Sequence, residues 1–132
     1  MIIDASVAVP WLIETPFSIS ARRLKQETKR SPHLVLIETS NSLLKYHRAG
    51  HLDEKDVRVA LKALPIAFDE LIADHALLSS AIDLAIAQSH KVHDCLYLAL
   101  ALERREPLAT ADRRLAAVAG TLGLDAVLVE PA

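Results

Sequence analysis

The chain of 132 residues has one cysteine, three glycines, few aromatic residues and no strong excess of either charge. The single cysteine, Cys95, excludes a disulfide scaffold. The 15 basic and 17 acidic residues give a formal net charge of −2, which by itself indicates neither a nucleic-acid-binding nor a membrane-binding protein. An apolar content of 52% excludes a disordered chain, and we expect one domain over residues 1–132.

Long apolar runs and targeting signals are also lacking. The longest nearly uncharged apolar stretch, Cys95–Leu102, is far shorter than the roughly 20 residues that span a bilayer. The start of the chain has no basic region and reaches an acid at Asp4, which does not fit a secretory signal. We therefore expect a cytoplasmic protein with no membrane partner.

The scarcity of glycine excludes several kinds of site. No glycine precedes Gly50, so neither a dinucleotide-binding G-x-G-x-x-G nor a phosphate-binding loop can follow the first strand. The chain has no G-x-S-x-G motif for a nucleophilic hydrolase. Cys95 lies in an apolar segment, so we expect it to be a core residue and not a nucleophile.

Short apolar runs alternate with amphipathic segments along the chain. Three helical segments follow an aspartate that can cap them, and we expect Pro65 to end the first of these helices. Strands separated by helices predict a three-layer α/β/α sandwich with a mostly parallel sheet of four to five strands. The predicted strands are Met1–Ile3, Pro65–Asp69, Pro107–Thr110 and Ala126–Val129, and the predicted helices follow Asp53, Asp74 and Asp112.

The local pattern does not decide the structure of residues 29–37. The run Leu34–Ile37 fits a buried strand. Pro32 equally fits the first turn of a helix that continues to Ala49, with Gly50 after its end. On the residues alone, both alternatives stay open.

Acidic residues stand at the predicted strand ends. Asp4 follows the first strand and Asp112 follows the strand Pro107–Thr110, and ligands of parallel sheets bind outside the carboxyl ends of strands. Glu38 and Asp94 also interrupt apolar segments, and Asp94 begins a helix so apolar that we expect it to be buried. Asp94 and Asp112 each have a structural explanation as well, because the helix dipole favours an acid in the first turn.

Four carboxylates gathered at one sheet edge would repel one another. At about 5 Å each pair costs roughly 3 kcal/mol at an effective dielectric constant near 20, so such a cluster needs a cation. Oxygen ligands of this kind suit Mg²⁺ or Mn²⁺, which also keep water and phosphate oxygens in their coordination shells. Because such an ion activates water and stabilises charge on phosphate, the pattern predicts metal-dependent phosphodiester hydrolysis.

Five segments, taken in their order and spacing, match those of a known family. They are Ile3–Ala8, Glu38–Leu43 in the position of an E-x-x-N-x-L motif, Leu64–Ile66, Val92–Ala101 and Pro107–Leu115. With these segments the chain resembles the PIN domain family, and within it the VapC-type ribonuclease toxins of bacterial toxin–antitoxin pairs. His93 stands where the family usually has tyrosine, and Cys95 where alanine is common.

The resemblance implies a PIN-like fold for residues 1–132 and an endoribonuclease that hydrolyses RNA with a metal-activated water. It implies a short second strand near Lys29–Ser31 and a helix entered after Pro32. The implied partners are an RNA substrate, a VapB-like antitoxin and a second copy of the chain in a homodimer.

The resemblance also implies which residues form the site. Asp4, Glu38, Asp94 and Asp112 would form the acidic pocket, and its ion would be Mg²⁺, with Mn²⁺ as the alternative. The hydroxyl groups of Ser6 and Thr110 and the amide of Asn41 would support that pocket as ligands or hydrogen-bonding groups.

The densest basic run provides candidate contacts to an RNA backbone. Such a run is often only a solvated helix face, but beside an acidic pocket it can guide a strand by its phosphates. The run consists of Arg22, Arg23, Lys25, Lys29 and Arg30.

Three other functions are alternatives to the nuclease. A receiver-type signalling domain needs paired acids after the first strand and a lysine near the last, but Ala5 follows Asp4 and Glu130 follows the last strand. Haloacid-dehalogenase chemistry needs a second acid at the position of Ser6. A PIN-like module that binds RNA or protein without cutting stays open as the alternative, although the four acids argue against it.

Overall fold

Five short strands alternate with seven α-helices in the computed structural model, which describes residues 1–132. The strands are β1 (Ile2–Ile3), β2 (Arg30–Pro32), β3 (Glu70–Ile72), β4 (Leu108–Thr110) and β5 (Ala126–Leu128). The helices are α1 (Ala5–Leu12), α2 (Ser18–Arg22), α3 (Leu34–Arg48), α4 (Glu54–Ile66), α5 (Leu78–Gln88), α6 (Val92–Arg104) and α7 (Arg113–Thr121). Two 3₁₀ turns, Arg23–Gln26 and Asp74–Leu77, complete the chain's helical structure.

All five strands belong to one parallel sheet with the order β3-β2-β1-β4-β5. β1 lies at its centre, where Ile2 pairs with Arg30 of β2 and with Leu108 of β4. After β1, the chain forms β2 and β3 on one side of β1 and then crosses back to form β4 and β5 on the other side. The strand order therefore reverses between β1 and β4, and this reversal opens a crevice at the carboxyl ends of the strands. The residues that follow β1 and β4 border this crevice.

Helix α6 forms the centre of the core. Residues Cys95–Ala101 are all buried, as their apolar sequence predicts, and α6 packs on β1, β2 and β4. Helix α5 packs against α6, whereas α1 packs against β4 and α3. The parallel sheet with its covering helices confirms the predicted α/β/α fold class.

Residues 29–37 contain both a strand and a helix. β2 ends at Pro32 and α3 begins at Leu34, so the run Leu34–Ile37 is helical. Asp74 is not the cap of α5, contrary to the sequence-based expectation. It begins a 3₁₀ turn after β3, and its Oδ1 accepts a hydrogen bond of 2.9 Å from the Leu34 amide at the start of α3. The turn that follows β3 lies beside the start of α3, and this tertiary contact decides which helix Asp74 caps.

Pro65 does not end α4, and the strand predicted at Pro65–Asp69 is wrong. Asp53 caps α4 as expected, but the helix continues through Ile66 with Pro65 in its last turn. Pro65 lacks the amide that would bond to the Leu61 carbonyl, and its ring crowds that carbonyl, but only Ile66 follows it in the helix. The strand that follows is β3, displaced to Glu70–Ile72, where Arg30 pairs with Glu70 in the register of the sheet. Ile66 is 83% exposed, so the apolar run that predicted a buried strand lies partly in solvent.

None of the helices combines the length and apolar character that crossing a lipid bilayer requires.

We expect Asp74→Ala to lower the free energy of unfolding by about 1 kcal/mol, because the first amide of α3 loses its acceptor. Asp74→Asn keeps a side-chain oxygen and should lose clearly less. Asp83→Ala, on the exposed side of α5, is the control and should stay within about 0.5 kcal/mol of the parent. Urea denaturation measures all three, and an unchanged midpoint for Asp74→Ala would contradict the cap.

Candidate active site

Asp4 is the buried centre of the site. It follows the two-residue strand β1 and is only 6% exposed. Its Oδ1 accepts a hydrogen bond of 2.5 Å from the Ser6 hydroxyl, and its Oδ2 accepts one of 2.6 Å from the Thr110 hydroxyl. Ser6 lies in α1 and Thr110 ends β4, so the two hydroxyl groups hold the carboxylate between two elements of the fold.

The same two hydroxyl groups also fix the turn from β4 into α7. The Ser6 hydroxyl accepts a hydrogen bond of 2.8 Å from the Ala111 amide, and the Thr110 hydroxyl accepts one of 3.0 Å from the Asp112 amide. Each hydroxyl group thus donates to Asp4 and accepts from the turn. The position of Asp112 is in this way coupled to that of Asp4.

Asp4 opens into a cavity of about 250 Å³ at the carboxyl edge of the sheet, which we call the acidic cavity. All four predicted pocket acids line it, although they come from four separate segments of the chain. Two of the predicted supporting residues, Ser6 and Asn41, line it as well, whereas Thr110 lies behind Asp4. The lining residues are Asp4, Ala5, Ser6, Glu38, Asn41, Ser42, Lys45, Asp94, Tyr97 and Asp112.

The three acids other than Asp4 each use one carboxylate oxygen for a contact within the protein. Glu38 Oε1 accepts a hydrogen bond of 2.6 Å from the Tyr97 hydroxyl, and Asp94 Oδ2 lies 2.8 Å from His90 Nε2. Asp112 Oδ1 caps α7 by accepting from the amides of Arg114 and Leu115. The second oxygen of each carboxylate has no hydrogen-bond donor from the protein.

The donor set fits a hard divalent cation. In this arrangement of side chains, no three acidic, histidine or cysteine residues converge on one point that could hold an ion. The acids nevertheless share one small cavity, and three of them keep an oxygen that no protein donor occupies. Carboxylate oxygens of this kind are the ligands that Mg²⁺ and Mn²⁺ prefer.

The burial of Asp4 is reflected in its pKa. Burial raises the pKa of Asp4 to about 6, the hydrogen bonds from Ser6 and Thr110 oppose that rise, and the nearby charges of Glu38 and Asp94 add to it. Burial and the charge of Glu38 likewise raise the pKa of the Tyr97 hydroxyl, which stays protonated as a donor. A bound cation would relieve this concentration of charge.

Sequence reasoning missed three residues of the site. Lys45 lines the acidic cavity without an ion pair to any carboxylate, while Tyr97 and His90 hold Glu38 and Asp94. Lys45 is seven positions after Glu38, so the periodicity of α3 places both on one helical face and could have identified it. His90 lies four positions before Asp94 but outside α6, so no helical pattern links the two.

The basic run is not gathered at the acidic cavity, and none of its five residues lines it. Lys29 and Arg30 stand at the amino end of β2, whereas the acids lie at the carboxyl ends of the strands. Arg30 pairs with Glu70 and Glu106, at 3.0 and 2.8 Å. Contact of Arg22, Arg23, Lys25, Lys29 and Arg30 with RNA therefore stays a prediction that the arrangement of the cavity does not favour.

Comparison with known proteins identifies the class of this chain. The profile of the PIN domain matches residues 1–121. The chain is 32% identical over 123 residues to Ribonuclease VapC1 of Mycobacterium tuberculosis, in strains CDC 1551 / Oshkosh and H37Rv, and the match covers 90% of both chains. The chain belongs to the PIN domain family.

Solved structures show the same fold at lower identity. PAE2754 from Pyrobaculum aerophilum superimposes with a TM-score of 0.74 at 23% identity, over 96% of this chain and 82% of that one. VapC20 of Mycobacterium tuberculosis, titled a sarcin-ricin loop cleaving toxin, has a TM-score of 0.66 at 17% identity, over 88% and 92%. A toxin–antitoxin complex from Klebsiella pneumoniae has a TM-score of 0.69 at 19% identity, over 99% and 98%.

We expect Asp4→Asn to stabilise the protein at about pH 8 in the presence of a chelator. Because the pKa of Asp4 is about 6 in the folded state, against 3.8 as its ordinary value, the folded protein binds the proton more tightly than the unfolded chain. The charged carboxylate therefore costs stability above pH 6, on the order of 3 kcal/mol. This cost shrinks as the pH falls through 6 and vanishes below about pH 4.

Urea denaturation between about pH 4 and pH 8 measures this difference, with the exposed Asp83→Asn as the control. The stability gap between Asp4→Asn and the parent should widen as the pH rises. If the difference in the free energy of unfolding does not change with pH, or if the parent is more stable than the variant at about pH 8, the charged Asp4 carboxylate does not destabilise the fold.

Proposed function

We propose that the protein is a metal-dependent endoribonuclease and the toxin of a toxin–antitoxin pair. The observation that carries this proposal is the acidic cavity, which Asp4, Glu38, Asp94 and Asp112 all line although they come from four segments of the chain. Membership of the PIN domain family and the 32% identity to a protein named Ribonuclease VapC1 support the same chemistry.

The ion we propose is Mg²⁺, with Mn²⁺ as the alternative. Glu38, Asp94 and Asp112 would hold it through the oxygens that no protein donor occupies, and Asp4 would face it from the buried side. When bound, such an ion lowers the pKa of water and neutralises the charge that develops on a phosphate. Tyr97 and His90 would keep two of the ligands in place, which is the usual task of groups behind a metal site.

In the reaction, the oxygen of a water molecule forms a bond to phosphorus while the bond from phosphorus to one ribose oxygen breaks. The water gives up a proton, and the departing ribose oxygen takes one. Lys45 stands at the cavity wall without an ion pair, so its ammonium group can contact a phosphate oxygen of the strand. Asn41 lines the same wall and can donate its amide to that phosphate or to a carboxylate ligand.

The partners we propose are an RNA, a VapB-like antitoxin and a second copy of the chain. The antitoxin is supported by the structural similarity to a toxin–antitoxin complex from Klebsiella pneumoniae. We propose further that residues 1–132 act as one PIN domain in the cytoplasm. The antitoxin would control the nuclease by covering the crevice that holds the acidic cavity.

Binding of Mg²⁺ should raise the melting temperature of the parent protein, because a ligand of the folded state adds roughly 2.7 kcal/mol at a hundred times its Kd. Each kcal/mol corresponds to about 4 °C for a domain of this size. The doubly substituted variant Asp4→Asn with Asp94→Asn should lose that shift, while Asp83→Asn should keep it. An equal shift in the double variant would place the ion elsewhere on the protein.

Cleavage of a fluorescent single-stranded RNA tests the reaction itself. With Mg²⁺ present, we expect Asp4→Asn and Asp94→Asn each to lower the rate at least about a hundredfold, because several kcal/mol of transition-state stabilisation is lost. Asp83→Asn should cleave like the parent. Undiminished cleavage by the two site variants would refute the assigned residues, and binding of RNA by a parent that never cuts it would favour the non-cleaving alternative.

A further inference from the structure

A second cavity adjoins the acidic cavity. Its volume is about 360 Å³, which lies at the lower end of the range for small-molecule sites, roughly 300 to 1,000 Å³. The two cavities share Ser6, Ser42 and Asp112 as lining residues. The other walls of the second cavity, which we call the aromatic groove, include Val9, Phe17 and Tyr46.

Both of the Phe, Tyr and Trp side chains that are not buried line the aromatic groove. The chain has five aromatic residues in all, one Trp, two Tyr and two Phe. Trp11, Phe68 and Tyr97 are buried, whereas Phe17 and Tyr46 are partly exposed and both line the groove. The Tyr46 hydroxyl makes no hydrogen bond within the protein, so it is free to bind a ligand.

The loop that carries Phe17 is held in place by hydrogen bonds. The fully buried Ser18 hydroxyl accepts one of 2.9 Å from the Thr15 amide and lies 3.0 Å from the Pro10 carbonyl. The Thr15 hydroxyl accepts one of 3.1 Å from the Phe17 amide. A wall fixed in this way loses little conformational entropy when a ligand binds.

We propose that the aromatic groove binds one nucleobase of the RNA strand, next to the phosphate that is cleaved. The proposal rests on the proposed function, because a phosphate held in the acidic cavity places the adjoining nucleoside at the wall that the two cavities share. The faces of a base suit the rings of Phe17 and Tyr46, and stacking on an aromatic side chain strengthens binding roughly 5- to 150-fold for each base.

The occupant of the groove also constrains the form of the substrate. A base can enter only when it is unstacked from its neighbours, as in loops, bulges and single strands. Every base has a π-face, so the two rings alone select for an unpaired nucleotide. The free hydroxyl groups of Tyr46 and Ser42 can bond to the base edge, and they are the groups that would give preference for one base.

Oligonucleotides that lack a single base test the proposal. Each oligonucleotide carries one abasic nucleotide, placed in turn on either side of the cleaved bond, and kcat/KM is measured for the parent and for Tyr46→Ala with Mg²⁺. For the parent, we expect one abasic position to lower kcat/KM by roughly 5- to 150-fold. Tyr46→Ala should lower kcat/KM on intact RNA by a similar factor and become insensitive to that same position, because the variant and the missing base remove one interaction.

Three further variants complete the test. Tyr46→Phe keeps the ring and should retain most of the activity, and Tyr46→Leu keeps the apolar volume and the helix but should lose the sensitivity to the missing base. Leu44→Ala is the control, since Leu44 lies on the same helix, is 36% exposed and lines neither cavity. Melting curves with Mg²⁺ show whether each variant is folded and still binds the ion.

If the abasic nucleotide lowers kcat/KM equally in Tyr46→Ala and in the parent, the proposal is overturned. The groove would then be better explained as a binding site for a protein segment. Should the parent cut no RNA, the proposed function fails on that result alone. The groove is then tested by fluorescence anisotropy with the same oligonucleotides. If Tyr46→Ala binds intact RNA more weakly than the parent does but binds the abasic oligonucleotide equally well, the result supports a base bound in the groove. Unchanged binding of intact RNA would overturn the proposal.

Discussion

The burial of one carboxylate, that of Asp4, is the constraint on which the site depends. A buried charge is costly unless hydrogen-bond donors or a cation surround it. Ser6 and Thr110 provide the donors, and their hydroxyl groups also accept the amides of the turn that leads to Asp112. One chain of hydrogen bonds therefore links the centre of the sheet to the start of α7, and the geometry of the cavity follows from how Asp4 is held.

The residues that could be predicted are those whose position follows from the ends of strands. Asp4 and Asp112 stand directly after apolar runs, and parallel strands bring such positions to one edge. Glu38 and Asp94 stand out in the sequence as acids within apolar segments, but their assignment to the site needed the resemblance to a family. The local pattern does not distinguish a ligand such as Asp94 from an acid that stabilises the first turn of a helix. Tyr97 could not be predicted, since its contact with Glu38 joins segments that only the tertiary structure brings together. His90 stands only four residues before Asp94, but it lies outside α6, so the helical spacing did not indicate the pair.

The two wrong predictions about the fold also arise from contacts that the local sequence does not show. Pro65 and Asp74 carry strong local signals for the end and the start of a helix, and each signal was overridden. Pro65 lies one residue before the end of α4, so it accompanies the end of the helix without standing after it. Asp74 lies nearer in space to the start of α3 than its place in the sequence indicates, and it caps that helix. Residue type predicted that a cap or a break would occur, but the packing of the sheet determined where.

The arrangement of the strands has a consequence for the synthesis of the protein. β1 contains Ile2 and pairs with Leu108 of β4, and Asp4 receives a hydrogen bond from Thr110, 106 residues later in the chain. Contacts between such distant segments form late in folding, because closing a long loop costs entropy before any contact compensates for it. A ribosome that is still translating therefore carries a chain whose four acids cannot yet meet. The acidic cavity can form only after the segment that ends with Asp112 has been synthesised and has emerged, so a shorter nascent chain lacks part of its wall.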